Sequence, residues 1–241
     1  MKHPLAIFIG LILATLQTPA HAQTPSAPPA NDPPPQESSS DKSNAEQAKK
    51  ATEWVASLGL NDPAKESRVK EVIVAHLKAI RDWHNDHPAT TVPAGINPTT
   101  GKTLSELDRE VIADSAMPKS VHEKFMGGLR KELTGDQVEA VLDKITVGKV
   151  AFTLTGYRAI VPNMTREEET YIVTSLEQAR EEAVDFKNMN EISAIFKIHK
   201  TQIEQYLNAN GRNWKVIYKT YVDSVKAKKA GTNSLTTEPT Q

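Results

Sequence analysis

The sequence contains no cysteine, almost no excess of charge of either sign and, after its first 22 residues, no long apolar run. Without cysteine the chain can form no disulfide and carry no lipid on a cysteine, so its stability must come from a hydrophobic core. A formal net charge of −1 argues against nucleic acid as a partner, because nucleic acids bind basic surfaces. No later segment approaches the roughly 20 apolar residues that a membrane helix needs.

The first 22 residues have the three parts of a secretory signal peptide. Lys2 supplies the positive charge, Leu5 to Leu16 form a short apolar run, and Ala20-His21-Ala22 forms a small-x-small cleavage site. We therefore predict a periplasmic or secreted protein that has no membrane span after cleavage.

Two segments have compositions that favour disorder. Residues 23–43 are rich in Pro, Ser, Ala, Asn and Gln and include Pro33-Pro34-Pro35, which is typical of a disordered spacer. Residues 231–241 are similarly poor in residues that pack, which predicts a disordered tail. The remaining residues, 44–230, fit one domain.

Apolar residues in this domain recur at intervals of three and four, the spacing of helices that bury one face. One such stripe contains Val69, Ile73 and Ile80, and the last in the chain contains Ile217 and Val225. Strand-like alternation is nearly absent. The pattern predicts an all-α, single-domain bundle of about seven to nine helices with one long Pro/Gly loop.

Three predicted helix starts carry the capping-box signature, in which two side chains satisfy backbone amides at the helix start. The first member is a threonine, and a glutamate or glutamine follows three residues later. The pairs are Thr103 with Glu106, Thr134 with Gln137, and Thr165 with Glu168.

The predicted long loop, residues 88–102, is broken by Pro and Gly and shows no periodicity. Loops of this length inside a compact domain often bind a ligand or move. Asn97, within this loop, is therefore a candidate ligand-binding residue.

Histidines and a tryptophan come directly before this loop. His84 and His87 continue the apolar stripe of their helix and, with an aspartate of the same turn, suit a metal site or a general base. The alternative is that these imidazoles cap the helix end, while His76 is a half-buried core residue. The spacing matches no established metal motif, so we predict no metal and no cofactor. Trp83, His84 and His87 are kept as candidate ligand-binding residues.

The turn of residues 208–214 is a second candidate site. It places amides beside Arg212, Asn213 and Trp214, a combination that suits a polar ligand such as a sugar. The alternative is helix punctuation, in which Gly211 ends one helix, Asn213 caps the next and the indole is buried.

Tyr157 and Arg158 form a third candidate, because a phenol and a guanidinium can bind an anionic group. The alternative is an anchored tyrosine beside a solvated arginine. Catalytic signatures are otherwise absent: the sequence has no G-x-S-x-G, no P-loop, no H-E-x-x-H and no dinucleotide fingerprint. The sequence therefore names no reaction.

Several segments, in a fixed order, resemble a family of exported bacterial proteins, domain-of-unknown-function family 3826. The similarity covers about residues 54–226. It implies a signal-bearing helical domain with no assigned activity and no established functional residues, whose genes often lie among polysaccharide-degradation genes. The segments that carry the resemblance are VEAVLDKITVGKV at 138–150, Gly156-Tyr157, Ile160-Val161-Pro162, Met164-Thr165, LEQAREEA at 176–183, Tyr206-Leu207 and Asn210-Gly211.

Three functions fit these observations. The first is an accessory glycan-binding or glycan-processing factor of the cell envelope, whose partner is a glycan or an envelope protein; predicted export, the long loop and the turn at 208–214 support it. The second is a periplasmic chaperone or stress-adaptor protein, because the helix starts at Thr134 and Thr165 are similar to those of small helical periplasmic chaperones. The third is an enzyme of unknown reaction class that uses Asp82, His84 and His87.

Overall fold

A computed structural model describes residues 39–98 and 100–235, with side chains described as far as residue 229. The predicted signal peptide, the predicted spacer up to residue 38 and the last six residues of the predicted tail lie outside the described residues. None of the described helices combines the length and the apolar character that crossing a membrane requires.

The described residues form nine α-helices and no strand, which confirms the predicted all-α single-domain fold. The helices are α1 (Ser39–Ala56), α2 (Pro63–Asp86), α3 (Glu106–Asp114), α4 (Lys119–Glu132), α5 (Gly135–Thr146), α6 (Lys149–Ile160), α7 (Arg166–Ala183), α8 (Met189–Ala209) and α9 (Trp214–Leu235).

Helix extends beyond the predicted domain limits at both ends, since α1 begins at Ser39 and α9 ends at Leu235. The start of α1 is tied to α2, because the Arg81 guanidinium donates to Asn44 Oδ1 at 2.7 Å and to Ser43 Oγ at 3.2 Å. Composition alone predicts disorder for residues 39–43, but it carries no information about this contact from a distant helix.

The stretch predicted as a long loop has local structure of its own. A 3₁₀ turn covers Ala89–Thr91, and Ile96 forms an antiparallel bridge with Thr103. Next to this bridge, Asn97 N donates to Lys102 O at 2.8 Å. Residues 96–98 and 100–103 therefore belong to a small hydrogen-bonded hairpin that leads into α3.

The capping boxes at Thr134 and Thr165 are confirmed, but the third begins at Ser105. Ser105 Oγ accepts from Asp108 N at 3.1 Å, and Asp108 Oδ2 accepts from Ser105 N at 2.8 Å. The predicted box at Thr103 is wrong because the bridge to Ile96 holds Thr103 outside the helix. Asn188 forms a fourth box that the sequence analysis did not single out.

Buried side chains form two hydrophobic cores. The first lies between α1, α2, α4 and α5, and the second between α6, α7 and α8. The turn from α7 to α8 belongs to both, because Val184 packs in the first core and Phe186 in the second. Burial of each such side chain stabilises the fold by about 1.5–3 kcal/mol. Asp185, between them, is thereby fixed at the boundary of the two cores.

Candidate functional site

A cavity of about 580 Å³ lies between the α3–α4 turn and the α7–α8 turn. This volume is in the range of small-molecule sites, which run from roughly 300 to 1,000 Å³. Lys119 and His122 are the basic side chains of its lining. The acidic side chains are more numerous: Asp114, Glu123, Glu181, Glu182 and Asp185. We call this space the junction cavity; its lining has an excess of negative charge.

Asp185 lies between two histidines, His76 and His122, whose pKa values are shifted in opposite directions. Its Oδ2 lies 2.8 Å from His122 Nδ1, and this hydrogen bond raises the pKa of His122. Its Oδ1 lies 3.5 Å from Nε2 of His76, which stacks on Phe125. Burial lowers the pKa of His76 to about 4, so this imidazole is neutral at neutral pH. Asp185 therefore has as its partner one imidazole whose protonated form it favours, and as its neighbour one neutral imidazole.

A second histidine–carboxylate group contains His84, Asp114 and Glu191, whose candidate ligand atoms all lie within 4.8 Å of one another. His84 Nδ1 is 2.7 Å from Asp114 Oδ2 and 3.3 Å from Glu191 Oε1. Asp114 is 4% exposed and Glu191 is fully buried. Burial and the nearby charge of Asp114 raise the pKa of Glu191. One imidazole thus lies between two buried carboxylates, and Asp114 is also part of the cavity wall.

Local structure holds both of these carboxylates in place. Asp114 is the last residue of α3, and the preceding carbonyl, that of Ala113, accepts from Trp83 Nε1 at 3.1 Å. Glu191 is the third residue of α8, and its Oε2 accepts from the amides of Lys187 at 3.0 Å and Asn188 at 3.3 Å. The capping box therefore fixes one oxygen of Glu191 and directs the other towards His84.

Two buried carboxylate oxygens in the cavity wall, Asp114 Oδ1 and Asp185 Oδ1, have no hydrogen-bond partner in the part of the chain that the structure describes. A buried polar atom without a partner costs about 1–3 kcal/mol. Such atoms are rare in native structures, and those that occur often accept from a ligand, an ion or water. The junction cavity is therefore the candidate functional site.

The three candidates before the predicted loop separate into two roles. His84 reaches the buried carboxylates, as described above. His87 instead stacks on the Trp83 ring, with 3.7 Å between centroids, and its Nδ1 lies 2.9 Å from Trp83 O. These contacts match the helix-capping alternative for His87, and they leave Trp83 as a support for the end of α3.

Asn97 organises its own hairpin. Its Nδ2 donates to Asp108 Oδ1 at 3.2 Å, and its Oδ1 accepts from Thr100 N at 3.2 Å. The hairpin is thereby attached to the first turn of α3.

The turn at 208–214 is built around one ion pair. Arg212 donates to both oxygens of Glu168 at 2.7 and 2.8 Å, and to the carbonyls of Pro162 and Asn163 at 3.0 Å each. Its guanidinium lowers the pKa of Glu168 to about 2. Asn213 Oδ1 accepts from Val216 N at 3.2 Å, at the start of α9. The guanidinium of Arg212 and the side-chain oxygen of Asn213 thus have partners within the fold.

Tyr157 and Trp214 pack together in the second core, with ring centroids 5.4 Å apart. Tyr157 is buried, and its hydroxyl lies 3.4 Å from Lys200 O. Arg158 forms an exposed ion pair with Glu169. The structure therefore brings Tyr157, Arg212 and Trp214 into one region and His84 into another.

The sequence analysis missed four residues of the site: Asp114, His122, Asp185 and Glu191. Asn188 with Glu191 is a capping pair in the sequence, so that signal could have located Glu191 at a helix start. Asp185 lies between two apolar residues that face different cores, a pattern no helix or strand period explains. Asp114 and His122 carry no local signal, since their partners lie in α2 and in the α7–α8 turn, far away in the sequence.

The chain belongs to the family described as "Protein of unknown function (DUF3826)", whose model matches residues 44–227. This match confirms the family resemblance seen in the sequence. No curated protein matches the chain. The matched range contains every residue of the junction cavity and of the His84 group, so the site lies in the part of the chain that defines the family.

Proposed function

We propose that this protein is an exported accessory factor that binds a carbohydrate in the junction cavity. The observation that carries the proposal is the pair of buried carboxylate oxygens, Asp114 Oδ1 and Asp185 Oδ1, which belong to residues that line the cavity and have no hydrogen-bond partner in the described structure. A ligand that satisfies both must bring hydrogen-bond donors. Sugar hydroxyls are donors of this kind, and a ring carries several of them.

The remaining surface of the cavity suits the other face of a sugar ring. Met117, Pro118 and Phe186 contribute apolar wall between the acidic side chains. Small-molecule sites combine such an apolar lining with a few polar groups that fix orientation. Carbon-bound hydrogens of a pyranose can pack on the apolar wall while its hydroxyls donate to the carboxylates.

The charge of the cavity supports a choice among sugars. Five carboxylates oppose Lys119 and His122, so an added carboxylate on the ligand is repelled. We therefore expect neutral or amino sugars to bind and uronic acids to be excluded. Asp185 and Glu181 raise the pKa of His122, and an imidazole beside carboxylates is a set of groups that acid–base processing of a glycan would use.

Predicted export is consistent with this role, because polysaccharides and their fragments lie outside the cytoplasm. The signal-peptide pattern of residues 1–22 supports a periplasmic or secreted location.

Calorimetric titration of residues 23–241 with neutral, amino and uronic oligosaccharides tests the proposal. We expect at least one neutral or amino sugar to bind, and Asp185→Asn to weaken that binding at least tenfold, which corresponds to about 1.4 kcal/mol. Asp223→Asn, which removes an exposed carboxylate paired with Lys219, is the matched control and should bind like the parent. Failure of every sugar to bind, or equal affinity in Asp185→Asn, would contradict the proposal.

A further inference from the structure

The His84 group, which consists of His84, Asp114 and Glu191, contains more acidic than basic side chains. Two buried carboxylates, Asp114 and Glu191, share one imidazole, so when both are ionised even a protonated His84 leaves the group with excess negative charge. Lys187, the basic residue nearest to Glu191 in the sequence, donates its ammonium group to Asn85 Oδ1 instead. Buried carboxylates normally require a paired cation or a proton.

Independent of this charge argument, Asp114 has an oxygen without a partner. The residue is 96% removed from solvent, yet its Oδ1 meets no donor in the described part of the chain. Its Oδ2 is the atom that contacts His84. A carboxylate in this state can bind a cation through either oxygen or both.

We propose that His84, Asp114 and Glu191 bind a divalent first-row transition-metal ion. One imidazole nitrogen with two carboxylates is a mixed N/O set, which suits zinc or manganese better than calcium or magnesium, since the latter prefer oxygen ligands alone. The inference goes beyond carbohydrate binding and stands whether or not a sugar binds.

The distances are close to those of a coordination shell. Metal–ligand bonds of about 2.1 Å place neighbouring ligand atoms about 3.0 Å apart in an octahedron and about 3.4 Å apart in a tetrahedron. The two separations from His84 Nδ1 are 2.7 and 3.3 Å. Both separations are within about 0.3 Å of the octahedral spacing, and all three candidate ligand atoms lie within 4.8 Å of one another.

Surrounding contacts hold the ligands as outer-shell partners do in metal sites. The Asn188 side chain donates to Glu191 Oε1 at 2.7 Å, and two backbone amides hold Glu191 Oε2. The indole of Trp83 holds the carbonyl that precedes Asp114. Three protein ligands leave coordination positions open, as in catalytic rather than structural sites.

Titration of the chelator-treated protein with Co²⁺ and Zn²⁺ alone, in the absence of any sugar, tests the proposal. We expect one equivalent of Co²⁺ to develop ligand-field absorption and Zn²⁺ to displace it. His84→Gln and Glu191→Gln should each weaken binding at least about 100-fold. His199→Gln is the matched control, because His199 also pairs with a carboxylate, Glu182, but has no second one.

Two results would overturn the metal-site proposal. One is the absence of saturable Co²⁺ absorption in the parent, and the other is an unchanged metal affinity in His84→Gln. Glu191 also caps α8, so circular dichroism without metal must show that its variant is folded; if it is not, His84→Gln decides alone. Asp185→Asn should lose sugar binding and keep Co²⁺ binding, so failure of one proposal is distinguishable from failure of the other.

Discussion

Arg212 of the turn at 208–214 binds the buried Glu168 carboxylate, and the wall of the junction cavity contains the carboxylates of Asp114 and Asp185; the hydrogen bonding of the two sets differs. Glu168 accepts from both arms of Arg212 and from Thr165 N, and Arg212 also donates to two carbonyls. In the cavity wall, Asp114 and Asp185 each keep a buried oxygen without a donor in the described structure. The hydrogen bonds of Glu168 therefore stabilise the fold, whereas Asp114 and Asp185 can still accept hydrogen bonds from a ligand.

The difference shows why side-chain type alone does not locate a site. The turn has the amides, guanidinium and indole that suit a sugar, yet its guanidinium binds Glu168 and two carbonyls, and its indole packs on Tyr157. The cavity residues have no recognisable motif, but they retain unsatisfied acceptors. Variants should therefore separate the two regions, since changes at the turn should affect stability and changes at the cavity should affect binding.

The largest expected effect is that of Arg212→Met. This change leaves the buried Glu168 carboxylate without its partner, so we expect a loss of roughly 3–4 kcal/mol in the free energy of unfolding. Arg158→Met, which breaks the exposed pair with Glu169, should cost less than about 1 kcal/mol. Urea denaturation measures both. Equal losses in the two variants would contradict the structural role of Arg212.

A slightly smaller effect should appear as a dependence of stability on pH. The pKa of His76 is about 4 in the folded protein and 6.5 in the unfolded chain, so the unfolded chain takes up this proton first. The contribution is complete above pH 6.5 and is lost as pH falls from 6.5 to about 4, up to about 3 kcal/mol.

Denaturation of the parent and of His76→Leu between pH 7 and pH 4 isolates this term. The parent should lose more stability than the variant across that interval. Asp185 and His122 face His76 and remain in both proteins, and the raised pKa of His122 acts in the opposite direction, since its stabilisation is present below pH 6.5 and lost above its folded pKa. Parallel curves would show that His76 is not the group responsible.

Trp214→Ala should have an intermediate effect. The indole packs on Tyr157 in the second core but is only half-buried, so we expect a loss of about 2 kcal/mol, below the 3–5 kcal/mol typical of a fully buried tryptophan. Sugar affinity, measured on the folded variant, should be unchanged. Weaker sugar binding with unchanged stability would instead place the ligand at the turn, as the sequence alone allowed.

The smallest effect on stability is expected from Asp185→Asn. Loss of the pair with half-buried His122 is offset because the carboxylate oxygen without a hydrogen-bond partner loses its charge, so the free energy of unfolding should change by less than about 1 kcal/mol. Glu168→Gln, the same kind of change at a fully satisfied carboxylate, should cost roughly 3 kcal/mol. Thermal denaturation of the pair compares the two regions directly, and a larger loss in Asp185→Asn would reverse the interpretation.

The sequence predicted the helical fold because the fold depends on local signals. Apolar spacing placed the helices, and the boxes at Thr134 and Thr165 marked two helix starts correctly. The box predicted at Thr103 failed because its bridge to Ile96 is a tertiary restraint on backbone conformation. The same limit explains the early start of α1, which a contact from Arg81 supports.

The site was predicted less well because its geometry is long-range. His84 was identified, but its partners Asp114 and Glu191 lie at the end of one helix and the start of another. Only packing brings these ends together. Whether a polar side chain has a hydrogen-bond partner likewise depends on residues that are distant in the sequence. For this reason residue types alone could not show whether the turn at 208–214 or the junction cavity is the better candidate for a binding site.

Backbone-amide NMR of the isotopically labelled protein, titrated with the tightest-binding sugar, tests directly whether the sugar binds in the junction cavity. We expect chemical-shift changes concentrated in residues 114–123 and 178–186, where the cavity wall lies, and little change in residues 208–214. Changes centred on residues 208–214, with an unperturbed cavity wall, would contradict this expectation.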